Sequence, residues 1–184
     1  MHRTPYTVTL FAKKRKKSRQ YATQVNAALA GVDRVSKITS YMKSLVENNS
    51  VGFYATIDES GTPCVSPKGT SVVLDKDTII FGNIRSPKTV ANIQSNPSME
   101  VNFLDVLSRT GFRAKGIASY VERSTSTFDD MILNFEKWGN LAEKIDGIVV
   151  LKILSASVFR SPIYDIGANE EELRNQWKQH YSNQ

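Results

Sequence analysis

Hydrophobic and polar residues alternate along most of the chain between residues 51 and 164, and this two-residue period is typical of half-buried β-strands. Short runs rich in aspartate, serine or glycine, such as those at 58–61 and 75–77, separate the alternating segments and are typical of turns. The pattern predicts six strands, over residues 51–57, 63–66 continued over 69–74, 78–82, 99–106, 111–121 and 147–154, with an extension of the last strand over 156–164.

In other segments the apolar residues recur three and four positions apart, which predicts amphipathic helices over about residues 33–48 and about residues 124–138. A short helix is predicted to begin at Ser86-Pro87, because serine is a favoured N-cap and proline is favoured at the first helical position. This helix ends before Asn96-Pro97. The polar residues 169–184 predict a short surface helix near the C-terminus.

Most of the predicted strands follow one another without an intervening helix, so the chain does not fit a doubly wound parallel sheet. Six antiparallel strands joined by turns, with three inserted helices, predict instead a mainly β fold, a closed or split β-barrel. We expect a basic, disordered leader over residues 1–32, the barrel domain over 33–165, and a tail with a short helix over 166–184.

The net charge of +6 is concentrated in the predicted leader. Residues 1–32 hold seven of the 24 lysines and arginines and no acidic residue, which leaves 17 basic against 18 acidic residues elsewhere. A nearly neutral body argues against nucleic acid as a partner, because a nucleic-acid-binding domain carries its basic surface on the folded part. Four interpretations of the leader remain open: a disordered arm, a start codon placed too far upstream, an organelle transit peptide, and a basic nuclear-localisation signal.

Composition excludes several kinds of site. The chain has one cysteine, Cys64, and its two histidines, His2 and His180, stand near the ends, so we predict no internal disulfide and no metal site. No apolar run reaches the roughly 18 residues that a transmembrane helix requires, so we expect no membrane contact. We therefore predict a cytoplasmic protein, with targeting to an organelle by the leader as the alternative.

The segment 81–89 is the leading candidate for a ligand site, because a strand ends there, a tight loop follows and a helix begins. A helix N-terminus presents free N–H groups and a partial positive charge, which together bind phosphate. Gly82 would allow close approach of the backbone, and Arg85, Ser86 and Lys88 would add hydrogen-bond donors. The alternative is a capped surface helix with two solvated charges.

Two further places carry polar residues inside otherwise apolar strands. Ser66, Lys68 and Ser71 would either line a ligand or belong to a β-bulge with an exposed lysine. Arg113 would either be exposed at an edge or face a ligand. No hydrolase, P-loop or dinucleotide-binding motif is found, so any redox chemistry is expected to come from a bound cofactor.

The order of these motifs resembles the pyridoxamine 5'-phosphate oxidase-like family of FMN-binding split barrels, over roughly residues 33–165. Each motif is short, and their order and spacing together make the resemblance. The motifs are Gly61-Thr62-Pro63, Ser66-Pro67-Lys68-Gly69, Ser86-Pro87-Lys88, Asn96-Pro97 and Phe112-Arg113-Ala114-Lys115-Gly116.

The resemblance implies a six-stranded antiparallel split β-barrel of the Greek-key type, FMN-binding, and a homodimer with FMN bound at the subunit interface. Ser86 and Lys88 match positions that hold the FMN phosphate, and the strand end at 81–83 matches backbone along the ribityl chain and ring. Arg113 matches a strand position that faces the cofactor. The cofactor-binding residues predicted in this way are Ser66, Lys68, Ser71, Phe81, Gly82, Asn83, Arg85, Ser86, Lys88, Thr89 and Arg113.

The chain departs from the true oxidases of this family in two respects. An arginine follows the helix-capping serine in those enzymes, whereas this chain has Pro87, and Arg85 would have to replace that arginine from the other side. The C-terminal motif with arginine and histidine that binds the vitamin phosphate is not found. The chain therefore resembles the oxidase-related branch of the family.

These features predict an FMN-binding flavoprotein oxidoreductase that uses a small-molecule substrate and a nicotinamide donor, NADH or NADPH. One alternative is a flavin-binding store or sensor without turnover. The other is a split barrel that binds haem, with His180 as the candidate axial ligand, or the deazaflavin F420. The catalytic residues and the substrate are not predicted by the sequence.

Overall fold

The structure is a computed structural model that describes residues 38–49 and 51–183. The predictions for the leader, and for the helix start near residue 33, lie outside the described residues. Seven antiparallel strands form one sheet, with helices around it, so the mainly β split-barrel prediction is confirmed. The strands are β1 (Gly52–Ile57), β2 (Pro63–Lys68), β3 (Ser71–Asp75), β4 (Thr78–Asn83), β5 (Ser98–Asp105), β6 (Thr110–Glu122) and β7 (Gly147–Arg160).

The sheet has seven strands where the sequence predicted six, because β2 and β3 belong to opposite edges. The strand order is β2-β1-β5-β6-β7-β4-β3, so β2 pairs only with β1, and β3 pairs only with β4. Only Gly69 and Thr70 join these two edge strands, which limits the gap between their ends to about 11 Å. The short connection therefore brings the two edges of the sheet together and curls it into a barrel.

Contacts across the interior show this closure. The Tyr54 ring on β1 lies 4.5 Å, between centroids, from the Phe81 ring on β4. The Tyr54 hydroxyl hydrogen-bonds Ser71 Oγ on β3 at 2.9 Å. Phe103 and Phe112 stack in the same interior at 5.3 Å between centroids. All four rings are fully buried, so they form the centre of the barrel core.

A second core lies on the other face of the sheet. Side chains alternate between the two faces of β4, so Ile79 and Phe81 belong to the barrel interior while Ile80 belongs to the second core. Phe128 and Phe135 cover Ile80 on that face. This arrangement explains why all six residues of β4 are buried.

The helices pack at the ends and sides of the sheet. They are α1 (Ser40–Asn48), α2 (Pro87–Ser95), α3 (Ser126–Ile132) and α4 (Glu170–Ser182), with 3-10 segments at Leu133–Lys144 and Pro162–Ile166. Thr39 caps α1, because its hydroxyl accepts a hydrogen bond from the Met42 N–H at 3.3 Å. None of the helices in the described residues is long and apolar enough to cross a membrane.

Two element boundaries differ from the prediction. The single helix expected over 124–138 is a short α-helix followed by the 3-10 segment, in which Gly139 has a φ of 51° and breaks the helical geometry. The predicted strand extension to residue 164 ends at Arg160, and a 3-10 turn begins at Pro162. Proline has no N–H to donate to a ladder, so the strand cannot continue through it.

Candidate functional site

The site is built on the inward face of the edge strand β2. Cys64, Ser66 and Lys68 alternate along this strand and are partly buried, whereas the residues between them are exposed. Ser66 lies directly opposite Tyr54, a core residue of the barrel, so this face of β2 is the inner one. A serine hydroxyl and a lysine ammonium are thereby presented beside the barrel end.

The ammonium of Lys68 joins β2 to the start of α2. Lys68 Nζ donates to Ser66 Oγ at 2.5 Å and to Ser86 Oγ at 2.7 Å. Ser86 is the residue before α2, and its side chain makes no capping hydrogen bond to the helix. The predicted N-cap position is correct, but the hydroxyl accepts from Lys68 instead of from the helix N–H groups. The first N–H groups of α2 therefore keep no side-chain partner from Ser86.

The charge of Lys68 is not neutralised by any carboxylate in the described part of the chain, since none of the ion pairs there includes this lysine. Partial burial lowers the pKa of Lys68, because water solvates its ammonium less well. A half-buried cation that contacts only two hydroxyls, beside a helix N-terminus, favours an anionic ligand. The arrangement suits a phosphate group.

Two more cations lie at the same helix start. Arg85 and Lys88 are exposed on either side of Ser86-Pro87. Hydrogen bonds from Ser60 and Thr62 hold the pKa of Asp58 below its usual value, and the nearby charge of Lys88 lowers it further. Lys88 is therefore close to the β1–β2 turn that carries Asp58, at the other end of β2 from Lys68, and it is its position two residues after Ser86 that puts it at the rim of the Lys68 site.

Three predicted residues have packing roles in the structure. Phe81 and Ser71 both contact Tyr54 inside the barrel, and burial raises the pKa of Tyr54 well above its ordinary value. A Cβ added to Gly82 would lie 2.4 Å from Cδ1 of Ile145, so packing in the second core already accounts for this glycine. The Gly82 carbonyl accepts from Thr70 Oγ1 at 3.0 Å, which ties β4 to the connection after β2.

Asn83 is the last residue of β4, and its side-chain oxygen receives no hydrogen bond. Its Nδ2 donates to the Tyr120 hydroxyl at 3.3 Å, while its Oδ1 is buried and makes no hydrogen bond. Tyr120 lies 37 residues away, and nothing in the local sequence indicated this contact. Thr89, in the first turn of α2, is 6% exposed and belongs to the buried side of the helix.

Arg113 lies apart from the other predicted residues. Its neighbours along the strand, Phe112 and Ala114, face the barrel interior, so Arg113 points to the outer face. The register places it three strand spacings from β2, roughly 14 Å. Its guanidinium lies 5.5 Å from the centroid of the Phe159 ring. A single chain therefore brings Ser66, Lys68 and Ser86 together but leaves Arg113 on the opposite face.

Comparisons with known proteins agree with this architecture. A solved FMN-binding protein from Syntrophomonas wolfei is 16% identical with a TM-score of 0.55, over 83% of this chain and 98% of that one. A solved F420 reductase is 23% identical with a TM-score of 0.52, over 65% and 98%. HutZ, the haem storage protein of Vibrio cholerae, is 16% identical with a TM-score of 0.54, over 67% and 94%. At these identities the similarities show the fold alone.

Fold and site together define a split β-barrel protein with a cluster of cationic side chains at a helix N-terminus. The pyridoxamine 5'-phosphate oxidase family model matches residues 38–157, which is 120 of the 184 residues. The chain belongs to this family. No curated protein matches it.

Proposed function

We propose that the protein binds FMN and acts as an oxidoreductase on a small molecule. The observation that carries this proposal is the half-buried ammonium of Lys68, which has two hydroxyl partners and no carboxylate within the described residues. A terminal phosphate would supply the missing negative charge. The three structures compared above include an FMN-binding protein with the same fold, which supports this choice of ligand.

Different residues of the chain would bind different parts of the ligand. Lys68, Ser66 and Ser86 would donate to the phosphate together with the first N–H groups of α2. Lys88 and Arg85 at the rim would add charge and attract the anion. The unpaired Oδ1 of Asn83 would accept a hydrogen bond from a hydroxyl or ring N–H of the ligand. When bound, FMN supplies the hydride and electron transfer, with a nicotinamide as donor.

We further propose that two copies of the chain pair through the outer face of the sheet. This face exposes apolar side chains on β1 and β2, with Phe53 at 47% and Val65 at 65% exposure. Arg113 lies on the same face, in register with Phe53 through Asn102. An isologous pairing of two such faces would bury the apolar half and place each Arg113 in the subunit interface. FMN held at the edge strand β2 would then border that interface.

Replacing Phe53 by aspartate is expected to shift the protein from dimer to monomer, because a charge buried in an apolar interface is strongly unfavourable. Leu133→Asp is the matched control, since Leu133 is 65% exposed but lies on the 3-10 segment beside the second core. Light scattering coupled to size-exclusion chromatography measures the mass. A wild-type monomer, or equal effects of the two variants, would contradict the pairing.

Two alternatives belong to other functional classes. A flavin-binding store or sensor would hold FMN at the same residues without turnover. A haem- or F420-binding barrel is the other, and the fold is shared with a haem storage protein and an F420 reductase. His180, the one histidine in the described residues, lies exposed on α4 beside Trp177. A nearly neutral body offers little attraction to the acidic tail of F420.

The visible absorption spectrum of the purified protein is expected to show the two bands of oxidised flavin. Heat should then release FMN, identified by chromatography, and reduction of the bound flavin by NADH or NADPH separates an oxidoreductase from a store or sensor. A Soret band would establish haem instead. A colourless protein that takes up no added FMN would refute the proposed function.

A further inference from the structure

The C-terminal part of the chain is attached to the turn between β5 and β6, and the family match ends before it. The family model stops at residue 157, whereas the segment in question runs from Ser161 to Ser182 and includes α4. The β5–β6 turn covers residues 105–110. The segment is therefore a feature of this chain that the matched family region does not include.

Four contacts join the segment to the turn. The Ser161 N–H donates to the Arg109 carbonyl at 2.9 Å, and the Tyr164 hydroxyl donates to the Ser108 carbonyl at 2.6 Å. Arg174 on α4 pairs with Asp105 at 2.5 Å. In addition, the Arg109 guanidinium lies 3.5 Å from the centroid of the Trp177 ring on α4. All four contacts are polar or involve a cation, which makes this attachment different from core packing.

The turn itself is strained at Arg109. This residue has a φ of 58°, and among the described residues no other non-glycine residue has a positive φ. Such a conformation is uncommon for a residue with a long side chain. Arg109 Nε is also buried without a hydrogen-bond partner. Stacking on Trp177 and the Ser161 hydrogen bond therefore hold Arg109 in a state that it would not favour alone.

The helix contributes little apolar burial to its own attachment. Leu173 is the single buried residue of α4. Elements held by few buried apolar contacts open locally at lower cost than the whole fold. The barrel core, in contrast, rests on four fully buried aromatic rings. Opening of the C-terminal segment and unfolding of the barrel should therefore be separate events.

We propose that residues 161–182 form a clasp that opens and closes on the β5–β6 turn while the barrel stays folded, with the Arg174–Asp105 ion pair as its latch. The clasp follows directly on the end of β7, which carries Phe159, and the Arg113 guanidinium lies over the Phe159 ring. Opening would release this end of β7. If FMN binds as proposed above, the clasp regulates how Arg113 is held on the outer face.

The charged and titratable groups around Asp105 are Arg174 and Glu170 from α4, Tyr164, Tyr41 on α1, and Arg109 in the turn. Burial opposes ionisation of Asp105, but hydrogen bonds from Leu107 and Ser108 and the charge of Arg174 hold its pKa below the usual value. The latch is therefore closed at neutral pH. It weakens as the pH falls below the ordinary aspartate value of about 4 and through the lowered pKa of the folded state.

Hydrogen exchange followed by mass spectrometry tests the clasp on the full chain without added cofactor. Asp105→Asn is expected to speed exchange in peptides of α4 by about tenfold or more, as for loss of a charged hydrogen bond, while β1, β4 and β6 keep their protection. Asp165→Asn is the matched control, because its pair with Arg160 is exposed on both sides, and it should change nothing. Unchanged α4 exchange in Asp105→Asn would overturn the latch.

A second variant controls for loss of the fold, since Asp105 is buried and accepts hydrogen bonds from Leu107 and Ser108 within the turn. Arg174→Gln removes the same pair from the more exposed helix side and should give the same selective exchange. If exchange of α4 and of the strands always rises together, no separate clasp exists. These readouts need no FMN. A chain that binds no FMN in any variant would therefore refute the proposed function and leave the clasp standing.

Discussion

Replacing Tyr54 by alanine is expected to lower the free energy of unfolding by about 3–5 kcal/mol, the usual cost of removing a large buried aromatic ring. Tyr54 is fully buried and contacts three other strands of the barrel: β3 through Ser71, β4 through Phe81 and β5 through Phe103. It therefore connects β1, the strand next to one edge of the curled sheet, to β3 at the other edge. The alanine would leave a cavity where β1 and β4 meet, and neighbouring rings on rigid strands could fill little of it.

The variant Tyr54→Phe distinguishes the contribution of the ring to stability from that of the hydroxyl. It keeps the contacts with Phe81 and Phe103 but leaves the buried Ser71 hydroxyl without its partner, at an expected cost of about 1–3 kcal/mol. Urea unfolding followed by circular dichroism measures both variants against the wild type. Equal stabilities of Tyr54→Ala and Tyr54→Phe would show that the ring does not hold the two edges of the barrel together.

Replacing Lys68 by methionine is expected to weaken FMN binding by about a hundredfold, near the upper end of the 1.5–3 kcal/mol for a charged hydrogen bond. Methionine keeps the apolar stem and removes the ammonium. The loss should be large because Lys68 is partly buried, where a charge interaction is screened less than at the surface. Quenching of FMN fluorescence on titration with the protein measures the affinity.

Two matched variants make this result specific. Lys88→Met removes an exposed cation at the rim, so we expect the smaller loss of about tenfold. Lys76→Met removes an exposed lysine in the turn between β3 and β4 and should leave the affinity unchanged. The fold should survive in all three variants, since water can replace Lys68 at the hydroxyls of Ser66 and Ser86. An unchanged affinity in Lys68→Met would refute the phosphate placement.

Local patterns in the sequence were sufficient for most of the elements. Alternation predicted the strands because side chains in a strand point to opposite faces, and this holds wherever the strand lies in the sheet. The start of α2 was predicted from Ser86-Pro87, because capping depends on a few consecutive residues. The order of short motifs also predicted the family, which the match over residues 38–157 confirms.

Other features depend on residues that are distant in the sequence, and they could not be predicted from it. Alternation cannot tell which face of a strand is the inner one, so it could not separate Arg113 from Lys68. The sequence also offered Gly82 as a ligand contact, whereas Ile145, 63 positions later, requires a glycine there for packing. The helix predicted to reach about residue 138 likewise changes to 3-10 geometry after Ile132, which its apolar spacing did not indicate.

What the sequence alone determined is the set of strands and helices, the start of α2 at Ser86-Pro87 and the family. The tertiary structure decided that β2 and β3, neighbours in the chain, form the two opposite edges of the curled sheet and that Lys68 reaches Ser86. It also decided that Arg109 is held against Trp177 by a C-terminal helix. The physical reason is the range of the interactions: spacing and capping act over a few residues, whereas strand pairing and burial depend on which distant segments the folded chain brings together.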